Sequence, residues 1–119
     1  MDEVDRLAQQ PVKEVVHEGA NVVVRLSGEL DLYNAAVVRE ALSAVVELAP
    51  ERLVIDLGDV AFVDSTALSM LLETRARLPQ KDGFVLAAPG AETRRTLQVS
   101  GLDRHLRVTD SVEDALAPG

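Results

Sequence analysis

Two short apolar runs, Leu53-Val54-Ile55 and Phe84-Val85-Leu86-Ala87-Ala88, decide most of what this chain can become. Each is too brief for a buried helix, and turn-forming residues flank them, with Pro50 before the first and Gly83 and Pro89-Gly90 around the second. That is the pattern of strands covered on both faces. A third run, Val22-Val23-Val24-Arg25-Leu26, is β-branched and equally strand-like. Between the runs, apolar residues recur at helical spacing: Val38, Ala41, Leu42 and Val45, then Leu68, Leu71 and Leu72. Strands alternating with helices in this way imply right-handed crossovers and a mostly parallel sheet, so the fold class is α/β.

The remaining elements follow from local signals. Val12 to Val16 is a short strand, and His17-Glu18-Gly19-Ala20-Asn21 supplies the turn of an N-terminal antiparallel hairpin. Gly28 closes the second strand, the tight Gly28-Glu29-Leu30-Asp31 loop follows, and Asn34 is the predicted N-cap of the first helix. A loop from Asp56 to Asp64 leads into a helix over 65–78, with Arg75 and Arg77 near its negative end and Pro79 as its stop. A shorter helix spans Glu92 to Val99 and stops at Gly101. A weak strand at Leu106 to Val108 precedes Ser111-Val112-Glu113-Asp114, a capping box for a terminal helix, which makes about four helices. Residues 1–11 read as a loose leader and 12–117 as the domain; 119 residues suit one core.

Charge narrows the function. With 20 acidic against 12 basic residues, a net −8, the molecule repels nucleic-acid backbones and anionic lipid surfaces. Tyr33, Phe62 and Phe84, its only aromatic residues, cannot form a row of base-stacking platforms. The absence of cysteine removes disulfides, thiolate metal sites and cysteine nucleophiles, and fits a reducing compartment. The acidic Met1-Asp2-Glu3-Val4-Asp5-Arg6 start shows no secretory signal, and no apolar run approaches the ~20 residues of a membrane span. The expectation is a cytoplasmic protein without direct membrane insertion.

The segment Asp56 to Leu68 carries the chemistry worth weighing: Asp56, Asp59 and Asp64, then Ser65 and Thr66, immediately before a helix. Capping accounts for part of it, since Asp64 or Ser65 can accept the first free N–H groups and stabilise the helix by about 1 kcal/mol. The same helix start suits a phosphorylated hydroxyl, because unpaired N–H donors and the positive end of the dipole accommodate added negative charge without melting the helix. Such a group would sharpen the negative charge already supplied by Asp31, Asp59 and Asp64. The three aspartates could also be read as Mg²⁺ ligands around a phosphoaspartate at Asp56, as in receiver domains. That reading needs an acidic pair after the first parallel strand and a late lysine, whereas the chain has Glu29 and Asp31 in a different pattern and only Lys13 and Lys81. His17 and His105 fall in a turn and at the approach to a strand and read as surface residues, and no Gly-x-Ser-x-Gly elbow or phosphate-cradling glycine loop occurs. The chain is not expected to be an enzyme or to use a cofactor or metal. Arg94-Arg95 reads as a solvated helix face and Met70 as core filling.

Four motifs in order, Gly28-Glu29-Leu30-Asp31, Leu53-Val54-Ile55-Asp56-Leu57, Val63-Asp64-Ser65-Thr66 and Ser111-Val112-Glu113-Asp114-Ala115-Leu116, resemble the STAS-domain family, specifically the bacterial anti-sigma factor antagonists. The likeness spans Val12 to Leu116. It implies the STAS fold and a binding protein whose partner is an anti-sigma factor that is also a serine kinase with a histidine-kinase-like ATP-binding fold. By that resemblance the unphosphorylated chain captures the anti-sigma factor and frees sigma; phosphorylation at Ser65, with Thr66 as the neighbouring alternative, ends the capture, and a PP2C-type phosphatase restores it. The resemblance places Asp31 near the phosphoacceptor and the partner on residues 28–31 and 58–64, with Gly28, Glu29, Leu30, Asp31, Asp59, Phe62, Ala67 and Leu68 as contacts. Ala67 departs from the glycine that antagonists commonly carry there, and its methyl group is expected where a kinase would approach. STAS domains also serve as subunits of lipid-transporting ABC systems, the alternative reading.

Overall fold

A computed structural model describes residues 10–118; the expected leader therefore lies, through residue 9, outside the described residues. Its last two residues are tied to the sheet, with Ser27 donating its N–H to Pro11 O at 2.8 Å and its hydroxyl to Gln10 O at 3.1 Å.

Five strands, β1 (Val12–Glu18), β2 (Asn21–Leu30), β3 (Arg52–Val63), β4 (Phe84–Ala87) and β5 (Arg107–Thr109), form one sheet in the order β1-β2-β3-β4-β5. β1 pairs antiparallel with β2 and every other pair is parallel. Four helices, α1 (Ala35–Glu47), α2 (Ser65–Ala76), α3 (Ala91–Ser100) and α4 (Val112–Leu116), complete the chain. The chain steps across the sheet without reversing, so right-handed crossovers put α1, α2 and α3 on one face. Strand residues with alternate parity meet them there: Val22, Val24 and Leu26, Leu53, Ile55 and Leu57 pack with Val38, Leu42, Met70, Leu71 and Leu97. A fully buried side chain of this size contributes about 1.5–3 kcal/mol, so this layer dominates the stability.

The opposite face is thinner. Val23, Val54, Val85 and Ala87 pack there against Ala115, with Val112 and Leu116 of α4 alongside. So short a helix needs both ends held. Ser111 Oγ accepts the Asp114 N–H at 3.0 Å, as the capping-box pattern predicts, and Arg52 donates to Ala115 O at 2.9 Å and Ala117 O at 2.6 Å. Gly83 permits the close passage of the chain ahead of β4, since a Cβ there would stand 2.4 Å from Glu51 O.

Two expectations are corrected. Gly28 to Asp31 and Asp56 to Asp64 are not loops: β2 runs on to Leu30 and β3 to Val63, paired as Ser27 with Asp59, Gly28 with Val60, Glu29 with Phe62 and Leu30 with Val63. Gly and Asp are turn formers locally, but two neighbouring parallel strands satisfy each other's backbone groups and override that preference. Asn34 stands at the N-cap position of α1 without making the cap bond. Its Oδ1 instead accepts the Asp31 N–H at 2.9 Å and its Nδ2 donates to Glu29 O at 2.7 Å, which binds the turn together.

Candidate functional site

The carboxyl ends of β2 and β3 lie side by side and deliver the starts of α1 and α2 to one edge of the sheet. Such an edge is where open α/β sheets gather loops and helix N-termini. The residue that organises it is Asp64. With extended backbone it is the N-cap of α2, and its Oδ1 accepts the Ala67 N–H at 2.9 Å. Its Oδ2 accepts the Leu32 N–H at 3.0 Å, and its own N–H donates to Leu30 O at 3.0 Å. One half-buried carboxylate thus caps one helix and clamps the turn that opens the other.

Because Asp64 does the capping, Ser65 is left free to do something else. It is the first residue of α2, it is exposed, and no hydrogen bond engages its hydroxyl among the described residues. Thr66 beside it is half-buried. The N–H groups of Ser65 and Thr66 stand at the open end of the helix, where no preceding turn supplies carbonyl acceptors and the dipole is positive.

Asp31 lies between two residues bonded to Asp64, so it borders this helix start. Its Oδ1 is committed to its own turn, accepting the N–H groups of Tyr33 at 2.9 Å and Asn34 at 3.3 Å. No hydrogen bond joins it to Ser65 among the described residues; the carboxylate anchored at the α2 start is that of Asp64.

Of the expected contact residues, Gly28, Glu29, Asp59 and Phe62 are exposed, whereas Leu30, Ala67 and Leu68 are buried in the core and cannot be reached by a partner. Their periodicity explains the error: Leu30 follows the inward parity of Leu26 along β2, and Ala67 and Leu68 fall on the sheet-facing side of α2. The methyl group of Ala67 accordingly points inward and does not stand in a kinase's way.

Asp59 is also elsewhere. Arg25 projects between the inward-facing Val24 and Leu26, so it belongs to the α4 face, and it donates to Asp59 Oδ2 at 2.6 Å and 3.0 Å from Nη2 and Nε. Glu14 flanks the pair at 3.6 Å. The Arg25 guanidinium is held above its ordinary value by the hydrogen bond and proximity of Asp59, with smaller contributions from Asp56 and Glu14. Asp56 accepts the Gly58 N–H at 2.9 Å. Of the three aspartates weighed as metal ligands, Asp64 thus stands apart from Asp56 and Asp59, and among the described residues no cluster of three His, Asp or Glu could hold an ion.

Sequence reasoning missed Leu32, Tyr33 and Val37, which are 63%, 90% and 54% exposed. The signal available was a pair of large apolar residues between a turn aspartate and a helix start, where core residues are not expected.

No helix among the described residues is long and apolar enough to cross a membrane. A model of the STAS domain matches residues 12–115. The anti-sigma-F factor antagonist RsfB of Mycobacterium tuberculosis is 39% identical over 100 residues, covering 84% of this chain and 81% of that protein. An anti-sigma F factor antagonist of Paenibacillus polymyxa is 30% identical over 105 residues, covering 87% and 90%. Among solved structures, an anti-sigma factor antagonist from Mycobacterium paratuberculosis superposes with a TM-score of 0.81 at 37% identity, covering 87% of this chain and 88% of that one. A sheet stepping once across without reversal, an aspartate capping a helix that begins with an exposed serine, and these likenesses over most of the chain converge: the protein belongs to the STAS-domain family.

Proposed function

We propose that this protein is an anti-sigma factor antagonist switched by phosphorylation of Ser65. In its unphosphorylated form it binds an anti-sigma factor that is itself a serine kinase with a histidine-kinase-like fold, so that the sigma factor is released. The observation that carries this reading is the division of labour at the start of α2. Asp64 caps the helix and Ser65 presents, at the first helical position, an exposed hydroxyl with no hydrogen bond among the described residues. The names of its relatives, antagonists of anti-sigma factors, support the same partner.

Phosphorylation replaces the Ser65 O–H bond by an O–P bond to the γ-phosphoryl group of ATP, with ADP leaving and the hydroxyl proton lost. The product carries up to two negative charges at pH 7, which the free N–H groups and the dipole tolerate. The fold therefore persists while the surface changes. A docked partner would have to desolvate that phosphate beside Asp64, and binding fails. A PP2C-type phosphatase hydrolyses the ester and restores the hydroxyl.

The test is incubation with ATP and the purified cognate anti-sigma kinase, followed by peptide mapping in a mass spectrometer. Phosphate on Ser65 is expected; phosphate on neither Ser65 nor Thr66 overturns the switch. Ser65→Ala should still capture the anti-sigma factor and Ser65→Asp should capture it far more weakly. Equal affinities would show that charge at this helix start is irrelevant.

A further inference from the structure

Among the described residues seven large apolar side chains are exposed, and four of them, Leu32, Tyr33, Val37 and Phe62, belong to the edge that holds Ser65. Scattered exposed apolar residues need no explanation, but a group at one place does. The other three, Val15, Leu48 and Val99, stand on separate elements: β1, the end of α1 and the last turns of α3.

The backbone under the group is fixed. Leu32 N–H is bonded to Asp64 Oδ2 at 3.0 Å and Tyr33 N–H to Asp31 Oδ1 at 2.9 Å, while Val37 N–H donates to Asn34 O at 3.1 Å in the first turn of α1. Phe62 lies two residues before Asp64, opposite Glu29 in the β2–β3 register. The 90% exposure of Tyr33 is thus imposed by a clamped turn, and an aromatic side chain held out on a rigid turn loses little freedom when a partner covers it.

Charge around the group has one sign. Residues 26–38 and 53–74, which build this edge, contain no lysine or arginine, while Glu29, Asp31 and Asp64 stand among the apolar residues. Asp59, the one exposed aspartate of β3, is already paired with Arg25 on the opposite face. An anionic membrane and a nucleic acid are both repelled by such an edge, and a second copy would bring carboxylates against carboxylates.

Resting on the reading of the protein as an antagonist, we infer that Tyr33 and Leu32, supported by Val37 and Phe62, are the affinity anchor of the interface, and that the anti-sigma factor receives them in an apolar pocket rimmed by lysine or arginine. The division of roles follows. The apolar residues supply affinity, the carboxylates steer a cationic rim, and Ser65 switches the complex because a dianion at the interface has to be desolvated.

The test is calorimetric titration of the purified anti-sigma kinase into the unphosphorylated wild type, Tyr33→Ala, Leu32→Ser and, as control, Val99→Ala, each at low and raised salt, with urea unfolding to confirm that the exposed substitutions leave the fold intact. Tyr33→Ala is expected to weaken binding about 30-fold or more and Leu32→Ser by about tenfold, Val99→Ala not at all, and wild-type affinity should fall as salt rises. If the wild type binds but both variants bind equally well, or if affinity rises with salt, the anchor assignment is wrong while the antagonist reading stands. If the wild type does not bind the kinase, both fall. If sedimentation shows that Tyr33→Ala abolishes self-association instead, the occupant is a second copy and the inference is overturned.

Discussion

Asp64 accepts the backbone N–H of Leu32 through one carboxylate oxygen, at 3.0 Å, across 32 positions of sequence. Its other oxygen caps α2. The turn carrying the exposed Leu32 and Tyr33 and the helix carrying Ser65 are therefore joined by a single side chain, which fixes their geometry relative to each other.

Removing that side chain should be felt at both ends. Loss of an N-cap costs about 1 kcal/mol, and loss of a hydrogen bond to a charged acceptor about 1.5 kcal/mol more. Asp64→Ala should thus lower the unfolding free energy by about 2–3 kcal/mol in urea. Asp64→Asn can keep the acceptor for Ala67 but would present an amide N–H₂ to the Leu32 N–H, and should lose about half as much. An Asp64→Ala midpoint equal to wild type would mean that the turn is held by other means.

A negative charge at Ser65 should not weaken the fold. At the first position of α2 it meets the positive end of the helix, an arrangement worth about 0.3–1 kcal/mol at low ionic strength. Ser65→Asp is expected to unfold at the same or a slightly higher urea concentration than wild type, Ser65→Lys at a lower one, and the gap should close in high salt. Marked destabilisation by Ser65→Asp would contradict the idea that the scaffold tolerates phosphate here.

Gly28 separates backbone strain from crowding. Its φ is +78°, at an irregularity in the β2–β3 register, and a Cβ there would find no atom within 4 Å. Space is therefore available but conformation is not. Gly28→Ala should cost about 1–2 kcal/mol by urea unfolding, and Gly28→Asn less, because asparagine tolerates the left-handed region better than alanine. Equal stability of all three would show that the strand end can relax.

The Arg25–Asp59 pair is solvent-exposed and on the far face from Ser65, so it should be nearly silent in both stability and switching. The Arg25 guanidinium is held above its ordinary value, so any stabilisation from the pair is complete throughout the neutral range and is lost only in strong alkali. Between about pH 6 and pH 9 the thermal midpoints of Arg25→Gln and wild type should differ by the same small amount throughout. A difference that changes within that window, or slower phosphorylation of the variant, would place this pair in the working surface after all.

Much of the architecture was legible because it rests on local chemistry. Apolar runs flanked by proline and glycine marked β3 and β4; helical spacing marked α1 and α2; Gly101 ended α3 and Ser111 opened α4, each through a single side chain or its absence. The same locality showed Asp64 and Ser65 at a helix start and the charge that turns nucleic acid away.

What the linear order concealed was which local signals would yield. Gly58 and Asp59 spell a turn, yet the neighbouring strand carries β3 through them to Val63; Ala67 and Leu68 border the exposed Ser65, yet helical rotation turns them into the core. Asp59 sits five residues before Asp64 but faces the other side of the sheet, where Arg25 neutralises it, while Leu32, far away along the chain, is bonded to Asp64. Sequence alone located most of the elements and a hydroxyl at a helix start, since these depend on a residue and its near neighbours. Only the tertiary structure decided which carboxylate serves that hydroxyl's helix and which apolar residues remain outside, because strand pairing and face alternation join residues that the chain keeps apart.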